Sequence, residues 1–266
     1  MLHLLFCCLL ACLPQERPKT AVVILLDTSG SMDNRMRSSR VSRLTAAKSA
    51  LTTVIRDLPD DTSLGVLTFA GWLVPLGNLQ KDATVASING LEASGGTPLG
   101  KYLKEAADQL LKQRAANRGL GVYRLIVVTD GEASDSDLVV KYVPDITSRG
   151  LVLDTIGVDM RSDHSLGKSS RRYMRADDPQ SFQQALSAVL AETALKDGQT
   201  NDFALLEGWS EEQCREICIG LANQRNGPIE GLQTTSDLGG WSWALVMAII
   251  LGGAVALLVI VLWACR

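Results

Sequence analysis

Four short apolar runs punctuate the first 160 residues: VVILL at 22–26, LGVLTF at 64–69, RLIVVT at 124–129 and LVLDTIGV at 151–158. Each is rich in β-branched residues and nearly continuous in apolarity, the pattern of a strand buried on both faces. Between and after them the period changes to that of a helix. Leu44, Ala47, Leu51, Val54, Ile55 and Leu58 share one helical face, Leu99, Leu103, Ala106 and Leu110 a second, and Phe182, Leu186, Val189 and Leu190 a third. Strands alternating with amphipathic helices predict a parallel sheet covered on both sides, a doubly wound α/β domain over residues 20–195. Residues 196–240 are polar and glycine-bearing with one helix-like piece at 210–223, and read as a linker or stalk.

The two ends follow neither pattern. Residues 244–264, ALVMAIILGGAVALLVIVLWA, carry no charge over 21 positions, enough helix to cross a hydrocarbon layer of about 30 Å. They predict a transmembrane helix, with Trp241, Trp243 and Trp263 at its interfaces. Residues 1–13 form a shorter apolar run, the size of a signal-peptide core, although no cationic residue other than His3 precedes it. Leu9-Leu10-Ala11-Cys12 also suits a lipoprotein-type leader with Cys12 as the lipidated residue. Arg266 beyond the helix, against the single Arg225 in the twenty residues before it, favours the tail as the cytoplasmic end and an extracytoplasmic domain.

Composition narrows the function. A formal net charge of −3 argues against a nucleic-acid partner. Of six cysteines, Cys7, Cys8, Cys12 and Cys265 belong to the apolar ends, and Cys214 and Cys218 lack the further ligands a zinc site needs.

The chemistry sits where the strands stop. The first run ends in Asp27-Thr28-Ser29-Gly30-Ser31, the third is followed at once by Asp130, and the loop EASGGTPLGKYL offers Thr97 where a helix begins. Ligands of open α/β sheets bind beyond the carboxyl ends of the strands. Asp27, Ser29, Ser31, Thr97 and Asp130 therefore share one rim, and their hard oxygen donors suit Mg²⁺, with Mn²⁺ or Ca²⁺ as alternatives. Zinc is disfavoured because no His or Cys is expected on that rim.

DTSGS, then Thr97 in GGTP, then Asp130 in VVTDG resembles the metal-ion-dependent adhesion site of von Willebrand factor type A domains. The resemblance implies that Ser29, Ser31 and Thr97 bind a cation directly, that Asp27 and Asp130 act largely through water, and that a partner protein supplies an Asp or Glu carboxylate to an open coordination position. It implies a binding module without catalysis. It also leaves an alternative, an accessory subunit of an ATP-driven assembly with the domain in the cytoplasm. One departure from the family is visible: residues 161–182, RSDHSLGKSSRRYMRADDPQSF, lack an apolar helical stripe, so an abbreviated sheet edge is expected there.

Three other features carry less. GGTPLGKY nearly spells a phosphate-binding loop, but Tyr102 stands at the hydroxyl position and no apolar strand precedes Gly95. His164 lies in a polar stretch and reads as a surface residue, too isolated for a Ser-His-Asp set. Arg35, Arg37, Arg40 and Arg43 follow the acidic loop and read as solvated. Gly95, Gly96 and Gly100 either free the Thr97 loop to move or shape a fixed turn.

Overall fold

The structure is a computed structural model that describes residues 20–119 and 121–191, together with Ser210, Glu212, Arg215, Glu216, Ile219, Gly220 and Asn223–Ile229. The expected leader at 1–13, the expected membrane helix at 244–264, Cys214 and Cys218 lie outside the described residues. Among the described residues no helix is long and apolar enough to cross a membrane.

The four apolar runs become β1 (Ala21–Leu26), β2 (Ser63–Thr68), β4 (Tyr123–Thr129) and β5 (Val152–Val158), all parallel neighbours in the order β2-β1-β4-β5. Two edge strands complete the sheet. β3 (Gly71–Asn78) turns back antiparallel on β2, and β6 (Arg172–Ala176) lies parallel to β5. Neither is buried on both faces: β6 interleaves arginines with its apolar residues, and β3, although Trp72-Leu73-Val74-Pro75-Leu76 is apolar, is half-buried with an exposed Pro75, which an edge strand tolerates. Where a crossover helix between β5 and β6 would stand there is only a 3-10 turn, Ser165–Lys168.

Alternate residues of β1 feed two separate cores. Val22, Ile24 and Leu26 pack under α1 (Arg43–Asp57), α2 (Lys81–Asn89) and α5 (Pro179–Ala191). Ala21, Val23 and Leu25 face α3 (Leu99–Ala116) and α4 (Ser136–Ser148). The three predicted apolar faces become α1, α3 and α5; α2 and α4 are additions. α2 is nine residues long and buries only Thr84, Val85 and Ile88, while α4 carries Pro144, an ordinary signal for a helix end. Burial of Val139, Tyr142, Val143 and Ile146 against α3 sustains α4 regardless.

Part of the segment expected as stalk packs onto the domain. Ile229 is buried in the α3/α4 core, its N–H donating to Asp108 Oδ1 at 2.7 Å. Arg114 and Arg149, at the far ends of α3 and α4 from the acidic loop, hold the carbonyls of Arg225 and Gly227.

Candidate metal centre

The chain runs β1, β2, β3 toward one sheet edge and β4, β5, β6 toward the other, so the order reverses between β1 and β4. Crevices open at such switch points, beyond the carboxyl ends of the strands. Asp27 leaves β1 and Asp130 leaves β4 at this crevice.

Asp27 is fully buried and both of its oxygens accept hydrogen bonds, Oδ1 from the Ser29 N–H at 2.7 Å and Oδ2 from the Thr129 hydroxyl at 2.7 Å. Among the described residues no cationic side chain pairs with it. Burial pushes its pKa up, against the pull of the Ser29 and Thr129 hydrogen bonds, and the neighbouring Asp130 adds to the rise. Ser31 Oγ donates to Asp130 Oδ1 at 2.7 Å, which spends its single proton, so the 3.0 Å contact between Ser29 Oγ and Ser31 Oγ has Ser29 as donor.

Thr97 reaches this end through its loop. Gly30 N–H donates to the Gly95 carbonyl at 3.0 Å and Ser94 N–H to the Thr28 carbonyl at 2.7 Å, stitching the two loops together. The Thr97 carbonyl accepts from Ser134 N–H at 2.9 Å, and Thr97 Oγ1 makes no hydrogen bond within the described residues. Gly95, at φ +78°, holds a left-handed turn that favours glycine. Gly100 is buried in α3, where an added Cβ would stand 2.6 Å from Leu138 Cβ and 2.8 Å from Val139 N. It lets α3 and α4 touch, and is not a loop hinge.

Two expectations are corrected here. His164 is only 2 % exposed: its Nδ1 accepts from Leu166 N–H at 2.9 Å, which leaves the proton on Nε2 to donate to the Gly131 carbonyl at 3.0 Å. A histidine thus abuts the rim after all, but both ring nitrogens are engaged and its one lone pair, on Nδ1, is taken by the Leu166 N–H. Burial lowers its pKa, opposed by Glu132 and the Gly131 carbonyl. Of the four arginines, Arg35 and Arg40 are exposed as expected, whereas Arg43 and Arg37 are ion-paired. Arg43 Nη1 meets Asp130 Oδ2 at 2.6 Å and its Nη2 meets Asp159 Oδ2 at 3.0 Å, while Arg37 Nε meets Asp159 Oδ1 at 2.8 Å.

Asp159 is the residue that sequence reasoning missed. It follows β5 directly and is 2 % exposed, with φ at +50°. An acid at the end of an apolar strand was the available signal, since Asp27 and Asp130 stand in the same position on their strands. Burial works against the charges of Asp159 and Arg43 alike. Their mutual hydrogen bonds, with Arg37 and Asp130, outweigh it: the net shift lowers the Asp159 pKa and raises that of Arg43.

The donor set fits a hard cation. Oxygens about 2.1 Å from an octahedral Mg²⁺ lie about 3 Å apart along an edge, and the two serine hydroxyls stand 3.0 Å apart. A buried carboxylate without a counter-charge is costly, and a cation removes that cost. Among the described residues no three His, Cys, Asp or Glu side chains form a metal-binding group, so a cation held here depends on hydroxyl oxygens.

An α/β domain with a hydroxyl-rich rim at its switch point defines a class, and the family comparison agrees with it. Residues 21–189 match the von Willebrand factor type A domain, and the chain belongs to that family. It is 28 % identical over 152 residues to the uncharacterized protein YfbK of Escherichia coli, a match that covers 54 % of this chain and only a quarter, 25 %, of YfbK. Among solved structures the pilus adhesin SpaC of Lactobacillus rhamnosus GG aligns with a TM-score of 0.54 at 14 % identity, covering 67 % of this chain and 31 % of that one. The vWF domain of the type V pili tip protein Mfa5 of Porphyromonas gingivalis aligns at 0.51 and 11 % identity, covering 68 % and 97 %. At such identities the likeness is one of fold.

Proposed function

We propose that this protein is a metal-dependent binding module in which Asp27, Ser29, Ser31, Thr97 and Asp130 hold a divalent cation, Mg²⁺ first, and that it captures a protein partner through an Asp or Glu side chain. The observation that carries the reading is the buried Asp27 carboxylate, which has no cationic partner among the described residues and lies beside two touching serine hydroxyls. When bound, the cation supplies an open coordination position for a carboxylate oxygen. Ser29 and Ser31 offer neutral oxygens, which leave most of a cation's charge uncancelled. Thr129 and the Ser29 N–H orient Asp27, while Ser31 and Arg43 fix Asp130. The pilus adhesin and pilus-tip proteins of like fold support an interaction role outside the cytoplasm, and the uncharged length of residues 244–264 supports their role as the anchor.

Manganese binding to the full-length chain in detergent tests this. About one Mn²⁺ is expected per chain, raising stability by about 2.7 kcal/mol at a hundredfold excess over the dissociation constant. Asp27→Asn keeps an acceptor for Ser29 N–H but removes the unpaired charge. It should abolish the Mn²⁺-dependent shift while leaving the metal-free chain as stable or more so, by up to about 1 kcal/mol. Undiminished binding in an Asp27→Asn, Ser29→Ala double variant would place any metal elsewhere.

A further inference from the structure

Arg43 opens α1, yet the acids it binds leave two different strands. Its Nη1 donates to Asp130 Oδ2 at 2.6 Å and to the Ser31 carbonyl at 3.4 Å, and its Nη2 and Nε donate to Asp159 Oδ2 at 3.0 and 3.2 Å. The side chain is 17 % exposed, and those of Asp130 and Asp159 are 0 % and 1 % exposed. Arg37 closes the set on the other oxygen of Asp159. Two carboxylates and two guanidiniums therefore cancel formally among these four, Arg37's longer contact to Asp177 at 3.8 Å being matched by Arg175 on the same acid at 3.2 Å, and of Asp27, Asp130 and Asp159 only Asp27 is left without a guanidinium among the described residues.

We propose that Arg43 sets the charge of this rim: by holding Asp130 Oδ2 it lets a bound cation face one uncompensated carboxylate instead of two, weakening the hold on the cation and strengthening the pull on an incoming carboxylate ligand. Each uncompensated anion near a divalent ion tightens its binding and, by the same Coulomb energy, repels a further anion. Asp159 is the counterweight, since it shares Arg43 with Asp130 and dilutes the compensation that Asp130 receives. Arg43 is thus a positioning residue, acting through Asp130. The inference rests on the metal-dependent reading above.

The test uses the full-length chain in detergent, with Mn²⁺ affinity read by electron paramagnetic resonance and acetate capture by the Mn²⁺-loaded chain read by water-proton relaxation. Arg43→Gln should tighten Mn²⁺ about tenfold and weaken acetate by a similar factor. Asp159→Asn keeps one acceptor oxygen for Arg37 Nε, gives up the one that Arg43 shares, leaves the Arg43 to Asp130 contact in place, and should move both affinities in the opposite direction. The double variant lacks both the arginine and the acid that shares it, and should fall between the two single variants in both affinities. A role confined to holding the fold would give none of this opposition. Wild type that binds no Mn²⁺ overturns the metal reading itself. Wild type that binds Mn²⁺, with single variants that match it or shift together, overturns the role of Arg43 alone. Should Arg43→Gln fail to fold, Asp159→Asn decides: unchanged or tighter Mn²⁺ binding sinks the proposal.

Discussion

His164 illustrates how far one side chain can depart from its sequence context. Residues 161–165, RSDHS, are polar throughout, yet the imidazole lies buried and spans from the Leu166 N–H to the Gly131 carbonyl, beside the acid that follows β4. Burial lowers its pKa from the ordinary 6.5, so on acidification the unfolded chain takes up this proton before the folded one. Stability from this residue is therefore complete above 6.5 and lost as pH falls through the lowered folded value. Urea unfolding of the metal-free chain should show stability falling over that window, by at most about 1.4 kcal/mol per pH unit from one proton. His164→Gln, which does not titrate, should flatten the slope; an unchanged slope would assign it to other groups. Asp159, whose pKa is lowered, gives stability that is lost only below the ordinary carboxylate value of 3.8, outside the histidine window.

At the scale of elements, the site depends on α3 and α4 standing almost in contact at their N-termini. Asp135, which precedes α4, accepts from Gly100 N–H at 2.8 Å and Lys101 N–H at 2.9 Å, capping α3 with a carboxylate that suits its dipole. Ser134 binds the Thr97 carbonyl, so the loop that carries Thr97 and the loop that follows Asp130 are joined. Gly100→Ala would drive a methyl group into Leu138 and the Val139 backbone, and should cost about 1–3 kcal/mol in denaturant unfolding. The added strain should also weaken Mn²⁺ binding by displacing Thr97, whereas Gly96→Ala, with open space around it, should do neither. Equal stability of Gly100→Ala and wild type would mean that α4 yields without cost.

At the scale of the whole molecule, the candidate rim and the packed C-terminal segment lie toward opposite ends of α3. Thr97 precedes its first turn, and Arg114 in its last turn holds Asn226 Oδ1 at 2.6 Å. The chain beyond Ile229 leads to the apolar residues 244–264, which we propose as the membrane anchor. Fractionation of cells without detergent should place the full chain with the membranes and a chain ending at Ser236 in the soluble fraction. Recovery of the full chain as a soluble protein would remove the anchor. A truncation ending at Gln224 should lose stability as well, because Ile229 leaves the core and the buried Arg114 loses Asn226.

The sequence by itself determined the α/β class, the four central strands and the helices α1, α3 and α5, because doubly buried strands and amphipathic helices write their burial into local periodicity. It also determined Asp27, Ser29, Ser31, Thr97 and Asp130 as a candidate set, since polar residues that cut off an apolar strand stand out without any partner, and a threonine in a glycine loop stands out where a helix begins. Only the tertiary structure decided the rest. β3, β6, α2 and α4 are half-covered or short, and what stabilises them is the neighbour they pack on rather than a pattern of their own. Arg43 and His164 were illegible for a related reason: a charged or polar side chain reads as solvated until the fold brings its counter-charge or hydrogen-bond partner from 33 to 116 positions away, and Asp159, though its place after an apolar strand was legible, gave no sign of the arginines that hold it. Burial and pairing of such groups are properties of distance in space, which no local window along the chain contains.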